Sequence, residues 1–204
     1  MNLSITLLLI AATVLVSWLS FNNPRLLERL ILWPPAIERK KQYDRLLTHG
    51  FIHADFQHLL FNMLTLFFFG RAVESKFAHG LGPLVFLGFY LSAIVVAILP
   101  SYMRHRGDAR YRSLGASGAV SAVLYAFILL KPWSMIFVFF VPLPAILYGV
   151  MYVGYSIWMD RQGHDNVNHS AHLWGAGYGM LFTLLLEPRV WPAFLQALLH
   201  PSFG

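Results

Sequence analysis

The sequence predicts an all-α polytopic membrane protein, a bundle of six transmembrane helices with a short interfacial tail. Three observations predict it. Of the 204 residues 57% are hydrophobic and only 12% are charged, whereas a soluble domain carries about 25% charged residues. The uncharged stretches approach or exceed the roughly 20 residues that a helix needs to cross a bilayer. The 15 Lys and Arg residues fall mostly in the segments between those stretches.

The elements follow in order. Residues 3–21 are free of charge. A secretory signal would have basic residues ahead of the apolar run and a small-x-small site after it. This run has neither, and its exit reads Trp18-Leu19-Ser20-Phe21-Asn22-Asn23-Pro24, so a retained first helix is expected. Residues 22–55 form a long mixed loop with apolar patches at Leu26-Leu27 and Leu30-Ile31-Leu32-Trp33. It is too long for a simple connector and is expected to fold partly against the membrane. Further helices are expected at about 56–77, 81–103, 115–130, 133–159 and 170–186, with Lys131-Pro132 as a sharp stop after the fourth. The tail, 188–204, is short and amphipathic and is expected on the membrane surface. The chain leaves no room for a second sizeable domain, so 1–204 reads as a single membrane domain.

Composition excludes several function classes. There is no cysteine, hence no disulfide and no thiolate metal site. The formal charge of +6 sits in loops beside apolar spans, which fits anionic lipid head groups and not nucleic acid. The odd-numbered loops hold Arg25, Arg29, Arg39, Lys40, Lys41, Arg45, Arg104, Arg106, Arg110, Arg112 and Arg161, against Arg71, Lys76, Lys131 and Arg189 on the other side. By the positive-inside rule the odd loops would be cytoplasmic.

Hydrocarbon penalises polar and ionisable groups, so those within spans are functional candidates. Ser117 stands in Gly115-Ala116-Ser117-Gly118, where a loop gives way to a helix. The unpaired N–H groups and partial positive charge of a helix N-terminus would stabilise an oxyanion formed there. The same residues also read as simple packing, since Gly118 and Ala122 are a small-xxx-small pair. His172 lies in His169-Ser170-Ala171-His172-Leu173-Trp174-Gly175. An imidazole with a reference pKa near 6.5 suits proton abstraction from a serine. Gly175 and Gly179 share its helix at GxxxG spacing, and the Gly118/Ala122 face is their natural partner. A buried histidine bonded to a carbonyl or water is the plain alternative. His58 and Asn62, four residues apart, occupy one helix face. Both can donate hydrogen bonds, as an oxyanion hole requires, although an interhelical pair would look the same. No Asp or Glu lies in the spans of Ser117 and His172, so a Ser/His dyad is expected rather than a triad. His49, His53, His58, His169 and His172 could in principle gather a metal. Without HExxH or a carboxylate in a span to complete a hydrolytic site, no metal is expected. His79, His105, His164 and His200 read as solvated. The aromatic residues read as lipid-facing and interfacial surface, with no site assigned to them.

These motifs together resemble the rhomboid intramembrane serine proteases. Gly115-Ala116-Ser117-Gly118 resembles the nucleophile motif, and Ala171-His172-Leu173-Trp174-Gly175 with Gly179 the general-base helix. His58-Leu59-Leu60-Phe61-Asn62 resembles the family's HxxxN. Tyr43-Asp44-Arg45-Leu46-Leu47-Thr48 with Phe51-Ile52-His53 looks like the end of its first loop, and Gly70-Arg71-Ala72-Val73-Glu74 like the close of its second helix. The resemblance runs in order from about Tyr43 to Gly179. It implies a rhomboid-like six-helix bundle with Ser117 as nucleophile and His172 as base. The Ser117 N–H, His58 and Asn62 would form the oxyanion hole, supported by Gly115, Gly118, Gly175 and Gly179. It implies an endopeptidase cutting single-span membrane proteins in or near the transmembrane segment, with no cofactor. The setting implied is a bacterial plasma membrane, with the site facing the extracytoplasmic side. That orientation opposes the loop charges, and the specific motif order is preferred. Many members carry an aromatic residue one turn after the nucleophile, against the base. Here that position is Ser121, and Tyr125 lies a turn further on. The alternative reading is a catalytically inactive rhomboid-like protein that binds transmembrane helices; it predicts loss of Ser117 or His172, and both are present.

Overall fold

A computed structural model describes residues 4–138, 140–163 and 167–201. The expected helix start at Leu3, His164, and residues 202–204 of the tail lie outside the described residues. The first helix, α1, runs Ile5–Phe21 and receives its N-terminal cap from a distant part of the chain. The Glu74 carboxylate accepts from the backbone N–H of Ile5 (2.6 Å) and Thr6 (3.0 Å) and from the Ser4 hydroxyl (2.7 Å). A carboxylate there meets both the unpaired donors and the positive end of the helix.

The long loop that follows is structured, as its apolar patches predict. It forms α2 (Pro24–Leu30), α3 (Pro34–Lys40) and α4 (Arg45–Thr48), continued by a 3₁₀ turn, His49–Phe51. α2 and α3 each begin on a proline, whose fixed φ and missing N–H cost nothing at a first helical position. The buried Arg45 draws the loop together, its guanidinium donating to the carbonyls of Glu28 (2.7 Å) and Ile31 (2.6 Å) and to Gln42 Oε1 (2.7 Å). An isolated antiparallel bridge pairs Leu32 with Ser113, so the loop is anchored to the segment just before Ser117.

α5 (Phe56–Thr65) is capped by Asp55 and passes through a wider π-helical turn, Leu66–Gly70, into α6 (Arg71–Leu81). Together they make the expected second helix and carry it past its predicted end. α7 (Leu84–Arg104) is the one helix among the described residues that is by itself long and apolar enough to cross a membrane. α8 (Ser117–Leu130) is buried on every side from Gly118 to Leu129, as a uniformly apolar central helix must be. α9 (Ala145–Gln162), α10 (His169–Leu186) and α11 (Val190–Leu199) complete the chain.

One expected element is corrected. A single helix over 133–159 is not formed. Its first part is a β-hairpin, β1 (Met135–Val138) paired antiparallel with β2 (Val141–Pro144), with Ile136 opposite Leu143. Pro142 and Pro144 would break a helix, and the Met-Ile-Phe-Val run is β-branched and aromatic enough to favour a strand. The helix starts only after Pro144. The fold is thus mostly helical with one short hairpin among the described residues, not strictly all-α. The main core joins α1, α5, α7, α8 and α10 around Phe86, Phe89, Tyr90, Ala119 and Val123, and many of the large apolar side chains of α1, α5 and α9 face outward, among them Leu15, Trp18, Phe61 and Trp158.

Candidate active site

The chain rises into α8 through Gly115 and Ala116, and both are held from below by the loop that ends α4. The Gly115 N–H donates to the His49 carbonyl (2.9 Å), and the Ala116 N–H donates to His53 Nε2 (3.3 Å). His53 is fixed at its other nitrogen by Ser17 of α1, Nδ1 to Oγ at 2.9 Å. The single hydroxyl proton of Ser17 is donated to the Phe51 carbonyl (3.0 Å). Nδ1 must therefore carry the proton of the His53–Ser17 bond, which leaves Nε2 bare to accept from Ala116. Both ends require the same neutral tautomer. Burial, with the neighbouring His58 adding to it, pushes the His53 pKa down to about 3, which keeps that tautomer neutral.

Gly115 has φ +114, a conformation that L side chains rarely adopt, and a Cβ there would lie 2.6 Å from His58 Cε1. Glycine is required on both counts. His58, in the first turn of α5, thus sits directly against the residue two before Ser117. Its backbone N–H donates to Asp55 Oδ1 (2.7 Å), and its ring meets His53 edge-on at 4.9 Å. One turn on, Asn62 donates to the His58 carbonyl (2.9 Å) and is buried. That bond uses one of its two amide N–H groups.

α8 and α10 run parallel in close contact. A Cβ on Gly175 would stand 2.0 Å from the Gly118 carbonyl oxygen, and one on Gly179 2.1 Å from that of Ala122. The two glycines of α10 meet the two small positions of α8 in the same order and at the same four-residue spacing, as the sequence suggested. Ser117 directly precedes its contact residue and His172 lies three residues before its own, so both stand at the same end of the paired helices. α7 closes the third side, where Ala97 would be 2.7 Å from a Cβ on Gly118.

The first turn of α10 is held by Asn168. Its side-chain oxygen accepts from the Ala171 N–H and from Ser101 (2.9 Å each), its amide donates to the Tyr111 hydroxyl (2.9 Å), and its carbonyl accepts from the His172 N–H (3.3 Å). The His172 ring meets His169 edge-on at 5.6 Å and is stacked on Tyr152 of α9, with centroids 5.8 Å apart and planes at 29°. The Tyr152 hydroxyl bonds to Ser121 Oγ at 2.7 Å. The aromatic missing from position 121 is supplied by another helix. Ser117, His172, His58, Asn62, Gly115 and Asn168 line one cavity of about 1180 Å³. Among the described residues no three His, Asp or Glu side chains gather as a metal site would require.

Sequence reading passed over three residues of this region. In the sequence Tyr152 falls among aromatics that read as lipid-facing, His53 among possible metal ligands and in the resembled end of the first loop, and Asn168 in the loop before the last span. The one available signal was Asn168, an N-cap residue type directly before the helix of His172.

The rhomboid domain family model matches residues 40–189. The chain belongs to the rhomboid family. Among similar proteins, RHOMBOID-like protein 12, mitochondrial, of Arabidopsis thaliana is 32% identical over 181 residues, covering 81% of this chain and 52% of its own length. The putative rhomboid protease YdcA of Bacillus subtilis (strain 168) is 28% identical over 184 residues, covering 86% of this chain and 85% of its own. Rhomboid protease GlpG of Enterobacter sp. (strain 638) is 34% identical over 127 residues, 59% of this chain and 40% of its own. This rhomboid chain spans about half the length of its Arabidopsis relative and most of that of YdcA. The rhomboid family is membrane-embedded, which accounts for the outward-facing apolar side chains.

Proposed function

We propose that this rhomboid is an active intramembrane serine endopeptidase, and that α1, α5 with α6, α7, α8, α9 and α10 make six crossings of the bilayer as one domain. The observation that carries the reading is the shared cavity. Ser117 at the first residue of α8, His172, His58 and Asn62 all line it. Names of similar proteins that include a rhomboid protease and a putative one support it.

In this mechanism Ser117 Oγ attacks the scissile carbonyl carbon as His172 takes the hydroxyl proton. The carbonyl π pair moves to oxygen, giving a tetrahedral oxyanion. The Ser117 N–H, the His58 ring N–H and the second Asn62 amide N–H stabilise it, and loss of one such donor typically costs roughly 100- to 1000-fold in rate. The C–N bond then breaks and the imidazolium protonates the departing amine. Water repeats the sequence on the acyl-enzyme, returning Ser117 and releasing the carboxylic acid. Gly115, Gly118, Gly175 and Gly179 support the site by letting backbone and helices approach. The substrates are single-span membrane proteins cut in or near their transmembrane segment. The cavity faces the extracytoplasmic side of a bacterial-type plasma membrane, and no cofactor takes part.

Labelling of the purified, detergent-solubilised protein with a fluorophosphonate probe tests this. Wild type is expected to label, and Ser117→Ala and His172→Ala are expected to abolish labelling. A folded wild type that does not label would instead support a non-catalytic protein that binds transmembrane helices.

A further inference from the structure

We propose that Tyr152 is the positioning residue for His172, and that Ser121 is its anchor. The inference rests on the dyad reading above. Proton transfer from Ser117 requires the imidazole to be held in one orientation. The structure offers a three-helix relay. The Tyr152 ring of α9 lies nearly parallel to His172 of α10, with centroids 5.8 Å apart. The Tyr152 hydroxyl is tied to Ser121 Oγ of α8 at 2.7 Å. Ser121 stands one turn below Ser117 on the helix that carries the nucleophile. The ring that orients the base is therefore referenced, through one hydrogen bond, to the nucleophile's own helix.

The arrangement does two things. It limits rotation of His172 about its side-chain torsions, because one face of the imidazole is covered. It also sets an aromatic face against the imidazolium that forms when Ser117 loses its proton, and a cation is attracted to that face. Tyr125, the other aromatic of α8 near this level, is occupied elsewhere, its hydroxyl donating to the Gly149 carbonyl at 2.5 Å. Its ring stands 6.1 Å from that of Tyr152 and so backs the positioning ring. Ser121 is itself buried. Its hydroxyl therefore needs a partner, and Tyr152 provides it.

The test measures fluorophosphonate labelling rates and turnover of a transmembrane peptide substrate for the full chain in detergent, with thermal unfolding as a check on folding. Tyr152→Leu removes ring and anchor, and a loss of roughly 10- to 100-fold is expected, in kcat and labelling rate with KM little changed, as for a misplaced catalytic group. Tyr152→Phe keeps the ring and is expected to restore most of the rate, with a deficit of roughly two- to tenfold from the lost hydrogen bond. Ser121→Ala should match Tyr152→Phe, and the double variant should be no slower than either single one. Wild-type labelling in all variants of Tyr152, with the Ser117→Ala variant inert, would overturn the positioning role and leave the dyad standing. Losses that follow the melting temperature and fall equally on Phe and Leu would overturn it too. A folded wild type inert to the probe would overturn the dyad reading and this inference with it.

Discussion

Gly179 of α10 lies so close to Ala122 of α8 that a Cβ added to it would be 2.1 Å from the Ala122 carbonyl oxygen. Gly175 has the same relation to Gly118 at 2.0 Å. The obstructing atoms are backbone, which cannot rotate away, so the two helices can meet in this way only where α10 has no side chain.

Gly175→Ala and Gly179→Ala are accordingly expected to push α8 and α10 apart. Overpacking typically costs about 1–3 kcal/mol, and a backbone obstruction belongs at the upper end. Both variants should melt at lower temperature in detergent and lose probe labelling. Gly177→Ala is the control, since a Cβ there would meet nothing within 4 Å; it should behave as wild type.

Gly115→Ala should separate activity from stability. A non-glycine residue at φ +114 carries backbone strain of about 1–3 kcal/mol. The added methyl would also displace His58, from the proposed oxyanion hole. A loss of labelling larger than the fall in melting temperature is expected. Equal and modest effects on both would refute a role for His58 next to the nucleophile.

Acid should weaken the fold through the loop histidines. Burial pushes His49 down to about 4 and His53 to about 3 from the ordinary 6.5. The folded state holds them neutral while the unfolded chain takes up protons, so their contribution is complete above about pH 6.5 and is lost as pH falls toward those values. Glu38 does not share this window. Hydrogen bonds from Arg106 and Tyr102 hold it down to about 2, so its contribution is present above the ordinary carboxylate value of 4.5 and is lost only as pH falls toward 2. A melting temperature that drops between pH 6.5 and 4 is the expected result. A flat profile over that range would contradict the assignment.

The sequence by itself determined a good deal. The order of the helices follows from where charge interrupts apolar runs. The spacing of Gly118/Ala122 and Gly175/Gly179 selected the two faces that meet, because only small residues permit such an approach. Ser117, His58, Asn62 and His172 stood out because polar groups are costly in apolar segments, and these four line one cavity. The hairpin at 135–144 was hidden because its residues are as apolar as a span, and the two prolines that exclude a helix were outweighed by the hydrophobic run. Tertiary structure alone decided the rest. That Tyr152 covers His172, that Ser121 anchors it, that His53 links Ser17 to Ala116, and that Glu74 caps α1 are contacts between residues 20 to 69 positions apart in the chain. Periodicity describes only a residue's neighbours on its own helix. A partner supplied by another helix is set by how the helices cross, and that is fixed by the packing of the whole bundle.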